Sequence, residues 1–158
     1  MSKYASQIQH QENCGADYQA QNPLVIQASV GLSAYDIMYT AGCLKDTKGA
    51  YCFADFITNS TKIEDTYPYY LPLGISLPPG SAPDCNSCVQ RTMQTYSAAA
   101  VKSGQLISKT YPSAAQVIDT QCGGSFIPSK VKVSAASSQA ISVMTALFST
   151  LIISFILR

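Results

Sequence analysis

Apolar side chains recur at spacings of three and four residues in several stretches of the chain, the pattern of helices with one buried face. In the longest stretch, Asn22 followed by Pro23 predicts a helix start, and Gly42 predicts its end. The positions expected on the apolar face of this helix are Val25, Ala28, Leu32, Tyr35 and Tyr39.

Two further helices are predicted toward the end of the chain. One follows Asp84, a candidate cap, and ends at Gly104. Its apolar face is expected to hold Cys85, Val89, Met93, Tyr96 and Ala100. The other runs from about Tyr111 to Cys122, with Pro112 in its first turn. Because the link between them is short, the two helices should run antiparallel and bring Cys122 close to the start of the first. A weaker pattern over Ser2 to Asn13 predicts a polar first helix.

The region from Leu44 to Pro83 is rich in proline and glycine. Because these residues interrupt helices and strands, we expect no long regular element there. The region is also rich in tyrosine, phenylalanine and leucine, so we expect it to pack onto the helices as an ordered wrap. The predicted fold is all-α: a small bundle of three to four helices, joined by disulfides, with a long irregular Pro/Tyr-rich wrap. It forms one domain over residues 1–127, followed by a hydrophobic C-terminal tail.

The cysteines indicate a disulfide-bonded fold. There are six, and the chain has one histidine. Zinc sites combine paired C-x-x-C knuckles or add histidines, whereas an even cysteine count in a short chain is typical of disulfides. We expect a local bridge from Cys43 to Cys52, a bridge from Cys122 to Cys85 or Cys88, and a bridge from Cys14 to the remaining one of these two.

The C-terminal tail predicts that the protein is attached to a membrane. Residues 133–157 contain no charged side chain, and the last charged residue before them is Lys132. Small residues at 134–136 and a polar spacer precede the apolar run, as in the signal for a glycosylphosphatidylinositol (GPI) anchor. We therefore assign 128–139 to a polar linker with the attachment region, 140–158 to the hydrophobic signal tail, and Ser134 to the lipid attachment, after which the chain is cut. A retained membrane span and a buried helix are the alternatives.

GPI attachment takes place in the secretory lumen, so a leader should precede the domain. Residues 1–12 have no apolar core of the kind a leader needs. The two explanations are a truncated gene model and a tail-anchored protein without a leader. The cysteine content favours the first, because cytosolic thiols stay reduced.

Composition narrows the function classes. Charged residues make up 12% of the chain and the net charge is +1, against about 25% charged residues in ordinary domains. A nucleic-acid-binding face of clustered Lys and Arg is absent from this sequence. Asn59 begins an N-glycosylation sequon, Asn-Ser-Thr, in a polar stretch suited to the surface of a secreted protein.

No catalytic constellation stands out. Cys85-x-x-Cys88 could form a redox pair at a helix start, but no βαβ pattern surrounds it, and we favour structural bridges. The carboxylates are scattered without a glycosidase-like pair, and His10 lies in a polar stretch. We expect no catalytic, cofactor-binding or metal-binding residues, and hence no enzyme. A thiol oxidoreductase is the distant alternative.

Three tyrosines in the wrap are the candidate binding residues. Tyr67, Tyr69 and Tyr70 could stack on sugar faces or anchor a partner protein. The competing interpretation is that they hold the wrap onto the helices. The leading hypothesis is a surface protein with a structural or interaction role, and the alternative is a glycan-binding or protein-binding module.

Six separated segments carry a resemblance to a known family: 13–18, 21–25, 41–44, 67–74, 85–88 and 114–123. Together they resemble a fungal family of small, secreted, GPI-anchored proteins with a domain of unknown function. The similarity runs from about residue 2 to 127 and continues to the tail. It implies a disulfide-bonded helical domain, an upstream leader, and a place at the plasma membrane or cell wall. It implies no catalytic residue.

Overall fold

The computed structural model describes residues 1–58, 61 and 63–128, and this part of the chain is mostly helical. In chain order the elements are α1 (Ser2–Gln7), α2 (Gly15–Gln19), α3 (Pro23–Gly42), α4 (Cys52–Thr58), a 3₁₀ helix (Ile63–Leu73), α5 (Ser87–Ala100) and α6 (Ile107–Cys122). The described ranges contain no strand, and Lys45 and Tyr51 form an isolated antiparallel bridge. The prediction of a mainly helical, disulfide-bonded fold is confirmed.

Helix α3 has the predicted bounds but not the predicted buried face. The Asn22 side chain accepts a hydrogen bond of 3.1 Å from the Leu24 amide, and Pro23 occupies the first turn. The buried residues of the helix are Ser29, Ala34 and Ala41, whereas Tyr35 and Tyr39 are exposed. The predicted face was therefore wrong. Apolar residues surround almost the whole helix, so their spacing does not single out one side.

Helix α5 buries the predicted face. Val89, Met93, Tyr96 and Ala100 are all inaccessible to solvent. The capping residue is Asn86 rather than Asp84, because the Asn86 side chain accepts a hydrogen bond of 2.9 Å from the Val89 amide. The helix accordingly begins at Ser87, and Cys85 lies before it.

Helix α6 begins at Ile107, four residues before the predicted start, and continues through Pro112. The prediction placed Pro112 in the first turn, where a missing N–H is harmless. The α5 and α6 helices pack against each other, and Cys85–Cys122 joins the start of α5 to the end of α6. The predicted antiparallel arrangement is thus confirmed.

The N-terminal segment and the wrap are more regular, and more divided, than predicted. The polar helix expected over Ser2 to Asn13 is shorter, since α1 ends at Gln7, and a second short helix, α2, follows at Gly15. A Cβ at Gly15 would lie 2.7 Å from the carbonyl carbon of His10, so only glycine fits where α2 begins. The wrap contains α4 and the 3₁₀ helix, and it contributes Phe56, Tyr69 and Leu71 to the core. The expectation that the wrap packs onto the helices is confirmed. The wrap is more regular than expected, because it contains these two helices.

The core lies between α5, α6 and the 3₁₀ helix, with α3 packed on α5 and on the 3₁₀ helix. Its largest side chains with almost no exposure are Tyr96, Tyr111, Leu71, Met93, Ile107 and Ile118. The polypeptide from residue 129 onward, which includes the predicted attachment residue Ser134 and the hydrophobic tail, lies outside the described residues. So does the sequon residue Asn59.

Candidate functional site

Two disulfides fix the wrap and α6 to the start of α5. Cys52, the first residue of α4, is bonded to Cys88, and Cys85 is bonded to Cys122, with Cα–Cα distances of 5.5 and 5.4 Å. The Cys52–Cys88 bridge is buried, whereas Cys85 is exposed. Each bridge closes a loop of similar length, with sequence separations of 36 and 37 residues.

The predicted bridge from Cys122 to Cys85 or Cys88 is confirmed in its first form, and the two other predicted bridges are wrong. Cys43 and Cys14 are free thiols. The reason lies in the antiparallel β-bridge between Lys45 and Tyr51, which closes the loop after α3. Next to it, the Cys52 amide donates a hydrogen bond to the Leu44 carbonyl at 2.9 Å. Leu44, not Cys43, therefore lies opposite Cys52, and a shift of one residue turns a side chain to the other side. Cys43 is exposed while Cys52 faces the core.

The Cys85-x-x-Cys88 pair is divided between the two bridges. Its sulfurs are bonded to different elements, one to α6 and one to α4. In a redox-active C-x-x-C motif the two sulfurs bond to each other during the cycle. The sulfur geometry of this chain is that of structural bridges.

The three candidate tyrosines belong to the 3₁₀ helix, which sorts them onto different faces. Residues three apart are eclipsed in such a helix. Tyr67, Tyr70 and Leu73 are on the outward face, where Tyr70 is 47% exposed. Tyr69 is on an inward face and is 5% exposed, and its hydroxyl pairs with that of Thr92 at 3.2 Å. Tyr69 therefore packs the wrap onto α5, and only Tyr67 and Tyr70 remain as candidate binding residues.

Tyr67 and Tyr70 form one wall of a hollow of about 250 Å³, here called the Tyr70 hollow. Its lining consists of Tyr67, Tyr70, Ile75, Ser76 and Pro78. Gly74, with a φ of 82°, ends the 3₁₀ helix and turns the chain back. The Ile75 amide consequently donates to the Tyr70 carbonyl at 3.3 Å, and Ile75 lies beside the tyrosine with 55% of its surface exposed. No lining residue is charged.

Two neighbouring hollows extend this apolar surface toward α3. One, of about 370 Å³, lies beside Gly31 of α3 and shares Ile75 with the Tyr70 hollow. The other, of about 130 Å³, shares Tyr70 and reaches Met38 and Phe53. The tyrosines flagged in the sequence thus mark the edge of a larger surface. The contribution of α3 and of Ile75 was missed, because the exposed face of α3 was taken to be its buried one.

Asp65 is the most buried carboxylate of the region, at 2% exposure. One oxygen accepts from the Asp84 amide at 2.6 Å and the other from the Asn86 side chain at 2.9 Å. Since Asn86 caps α5, Asp65 ties the 3₁₀ helix to the start of that helix. These contacts give the carboxylate a structural role.

Three buried tyrosines have raised pKa values. Burial raises the pKa of Tyr111 to about 12, an effect that a hydrogen bond with Ser97 lessens and Asp119 adds to. The Tyr111 hydroxyl donates to the Pro128 carbonyl at 2.6 Å and so holds the end of the domain. Burial also raises the pKa of Tyr96 and of Tyr69. Tyr96 is completely buried, and its hydroxyl lacks a hydrogen-bond partner within the described part of the chain.

The remaining titratable groups form no metal-binding cluster in the part of the chain that the structure describes. No three His, Cys, Asp or Glu side chains there are placed to hold a metal ion. His10 and Glu12 form an ion pair of 3.8 Å with both side chains largely exposed. None of the described helices has the length and apolar character of a membrane span.

Comparison with known proteins gives a family but no activity. No curated protein and no solved structure matches the chain. The family model of a domain of unknown function (DUF7729) matches residues 1–131, which include every helix and both disulfides described above. The resemblance to a family with a domain of unknown function is therefore confirmed, and the chain belongs to the DUF7729 family.

Proposed function

We propose that this chain is a non-enzymatic domain of the cell surface, attached to the membrane or cell wall through a GPI lipid, that binds a partner protein through the Tyr70 hollow. The single observation that carries the binding role is this uncharged hollow between exposed tyrosine, isoleucine and proline side chains. The surface location is supported separately, by the disulfides and the tail.

The disulfides support an oxidising environment. Cys52–Cys88 and Cys85–Cys122 join three helices that cross a small domain, and such bridges persist in extracellular compartments rather than in the cytosol. The small residues at 134–136 before an uncharged apolar run support GPI attachment. The resemblance to secreted, GPI-anchored fungal proteins points to the same location.

The chemistry of the Tyr70 hollow favours binding over catalysis. Its lining offers contact area and hydroxyl groups, and no histidine or carboxylate adjoins Ser76 there to activate it as a nucleophile. Tyrosine combines a large apolar ring with a polar tip, which suits it to interfaces. The thiol oxidoreductase alternative loses support, because Cys85 and Cys88 hold two different bridges.

The size of the hollow favours a protein partner over a small ligand. Pockets for small molecules usually measure about 300–1,000 Å³, whereas this one measures about 250 Å³ and is open. A space of this size accepts one large apolar side chain, the usual anchor at the centre of a protein interface. A sugar ring of a cell-wall glycan is the competing occupant, since it could stack on Tyr70.

The location is tested by expressing the full chain behind a secretory leader and treating intact cells with phosphatidylinositol-specific phospholipase C. We expect release of the domain without the residues that follow Ser134. The control replaces the small residues at 134–136 by bulky ones, which should prevent both lipid attachment and release. A protein that stays in the membrane with its C-terminal tail detectable would show that the anchor assignment is wrong.

The binding role is tested with the same surface-displayed protein. Tyr70→Ala should lower its binding to extracted cell-surface proteins at least about tenfold, in line with the loss of an interface anchor. Tyr4→Ala is the matched control, because Tyr4 is also an exposed tyrosine but lies on α1. Undiminished binding by the Tyr70→Ala variant would show that the Tyr70 hollow is not the binding site. Binding of purified glycans instead of proteins would assign the hollow to sugar.

A further inference from the structure

One exposed line of residues on α3 is apolar from the first turn of the helix to the last. Leu24, Ala28, Gly31, Tyr35 and Tyr39 follow one another at spacings of three and four residues, so they share one side of the helix. All five are exposed, Leu24 at 75% and Tyr39 at 63%. We call this set the α3 stripe. It spans roughly 22 Å at the rise of an α-helix and contains no charged residue.

Much of the rest of α3 is covered by other elements. On one side, Gln9 donates a hydrogen bond of 3.1 Å to the Ser29 hydroxyl near α1, which packs on α3. The helix also packs on α5 and on the 3₁₀ helix, and Ala41 belongs to the core. The α3 stripe remains uncovered, and it is flanked by the exposed polar residues Gln27, Asp36 and Thr40. Monomeric proteins rarely expose an apolar surface of this extent unless it binds something.

Gly31 gives an independent indication of close approach from outside. Glycine in the middle of a helix is unfavourable compared with alanine. The described part of the chain does not require a glycine there, because a Cβ at Gly31 would find none of its atoms within 4 Å. Gly15 is the contrast, since there a Cβ would meet the backbone of His10 at 2.7 Å. The absence of a side chain at Gly31 opens the neighbouring Gly31 hollow, of about 370 Å³, which is lined by Ile26, Gln27, Val30, Gly31, Leu73 and Ile75.

The arrangement of large and small residues on the stripe is complementary to itself. Its C-terminal half carries Tyr35 and Tyr39, whose rings lie 6.1 Å apart at an interplanar angle of 13°. Its N-terminal half carries the small Ala28 and Gly31. A two-fold axis between residues 31 and 32 sets two α3 helices antiparallel and brings residue i of one copy opposite residue 63 − i of the other. Tyr35 then faces Ala28, at the height of the Gly31 hollow. Such mutual contacts define an isologous interface.

We infer that α3 is a homodimer interface, in which two copies pair antiparallel and each seats Tyr35 in the Gly31 hollow of the other. The uncharged stripe brings no like charges together. Leu24, Tyr35, Tyr39 and Ile75 are 75%, 45%, 63% and 55% exposed, and a large side chain presents about 200 Å² when fully exposed. With the small residues between them, the surface comes to roughly 600 Å² per copy, the lower limit for a specific interface. The inference goes beyond the proposed binding function and does not depend on it.

Site-directed cross-linking of the full chain tests the register. In a background with Cys14→Ser and Cys43→Ser, copies carrying Leu24→Cys are mixed with copies carrying Tyr39→Cys. A short thiol cross-linker should join the unlike copies, because residues 24 and 39 lie opposite each other. Like copies should not be joined, since equal positions at these ends lie roughly 20 Å or more apart along the helix. In the otherwise native chain, Cys43 should likewise fail to link to Cys43 of a second copy.

A substitution at Gly31 separates association from folding. Gly31→Leu fills the hollow and improves the helix, so we expect the thermal midpoint to rise by about 3 to 5 °C. The same change should lower the cross-linked yield at least about tenfold, which corresponds to about 1.4 kcal/mol. Tyr35→Glu should abolish the cross-link by removing the ring and burying a charge. Val117→Glu, at an exposed position of α6, should leave the yield unchanged.

The contrary results are equally definite. Cross-linking between like copies, or through Cys43, would replace the antiparallel pair by a parallel one and overturn the inference. So would an undiminished yield with Gly31→Leu, or no link between copies in any combination. A link from Tyr39→Cys to an unrelated protein would assign the stripe to that protein instead.

Discussion

Removing the two disulfides separately should destabilise the domain to different extents, even though the loops they close are nearly equal. Each bridge closes a loop of 36 or 37 residues, and on the chain-entropy model each stabilises the fold by about 4 kcal/mol. The difference between the two loops in this model is less than about 0.1 kcal/mol. Any larger difference between the two variants must therefore come from the folded state.

The folded state does differ between the bridges. Cys52 is 0% exposed and Cys88 6%, so Cys52→Ala/Cys88→Ala also removes two sulfur atoms from the core and leaves a cavity, at a further cost of about 1 to 2 kcal/mol. Cys85 is exposed and Cys122 half-buried, so Cys85→Ala/Cys122→Ala should lose little beyond the loop effect. We expect losses in the free energy of unfolding of about 5 to 6 and about 4 kcal/mol, respectively.

Urea denaturation followed by far-ultraviolet circular dichroism measures both losses, because the domain is mostly helical. Single Cys14→Ala and Cys43→Ala variants are the controls, and each should change stability by less than about 1 kcal/mol, since neither thiol is bonded. Equal losses for the two pairs, or a larger loss for Cys85 and Cys122, would refute the burial argument. A loss of several kcal/mol on replacing Cys43 would refute the connectivity.

Four further substitutions probe the buried polar groups. Asp65→Asn should lower stability by about 2 to 3 kcal/mol in urea denaturation, because one of the two accepting oxygens becomes a donor that faces another donor; an unchanged midpoint would contradict this. Tyr96→Phe should be neutral or stabilise the domain by up to about 1 kcal/mol, because the Tyr96 hydroxyl has no hydrogen-bond partner in the described part of the chain. Tyr69→Phe should destabilise it by about 1 kcal/mol, because it leaves Thr92 without its partner. The reverse order would show that the hydrogen bonds of these two hydroxyls are wrongly assigned. Tyr111 has a folded-state pKa of about 12 against 10.0 in the unfolded chain, so its contribution to stability is complete below pH 10 and is lost between pH 10 and about 12. Tyr111→Phe should flatten the alkaline decline of the thermal midpoint, and an unchanged slope would exclude this tyrosine as its source.

The elements predictable from the sequence were those with unambiguous ends and one distinct apolar face. Asn22 and Pro23 marked the start of α3 because a capping side chain and a fixed φ act locally. The spacing of apolar residues in α5, three and four apart, identified its buried face because polar residues fill most of the remaining positions. In α3 no such contrast exists, so tertiary packing selects the buried side, and the exposed tyrosines were assigned to the core.

The wrap was the least predictable region, because its structure depends on a period of three. Proline lacks an N–H, which argued against helix, yet its φ of about −65° also suits a 3₁₀ helix. Once that helix is recognised, the outward positions of Tyr67 and Tyr70 and the inward position of Tyr69 follow directly. The partner of Cys52 depended on a one-residue register that no sequence spacing reveals.

Photo-cross-linking from the Tyr70 hollow tests the central claim, a surface domain that binds a partner protein there, most directly. A photoactivatable phenylalanine replaces Ser76, which lines this hollow and not the Gly31 hollow, in the full chain displayed on cells. The same group at Val117 serves as the control. The account predicts a discrete adduct with a cell-surface protein from position 76, absent from position 117 and lost when Tyr70→Ala is added. No adduct, the same adducts from both positions, or an adduct that survives Tyr70→Ala would contradict it.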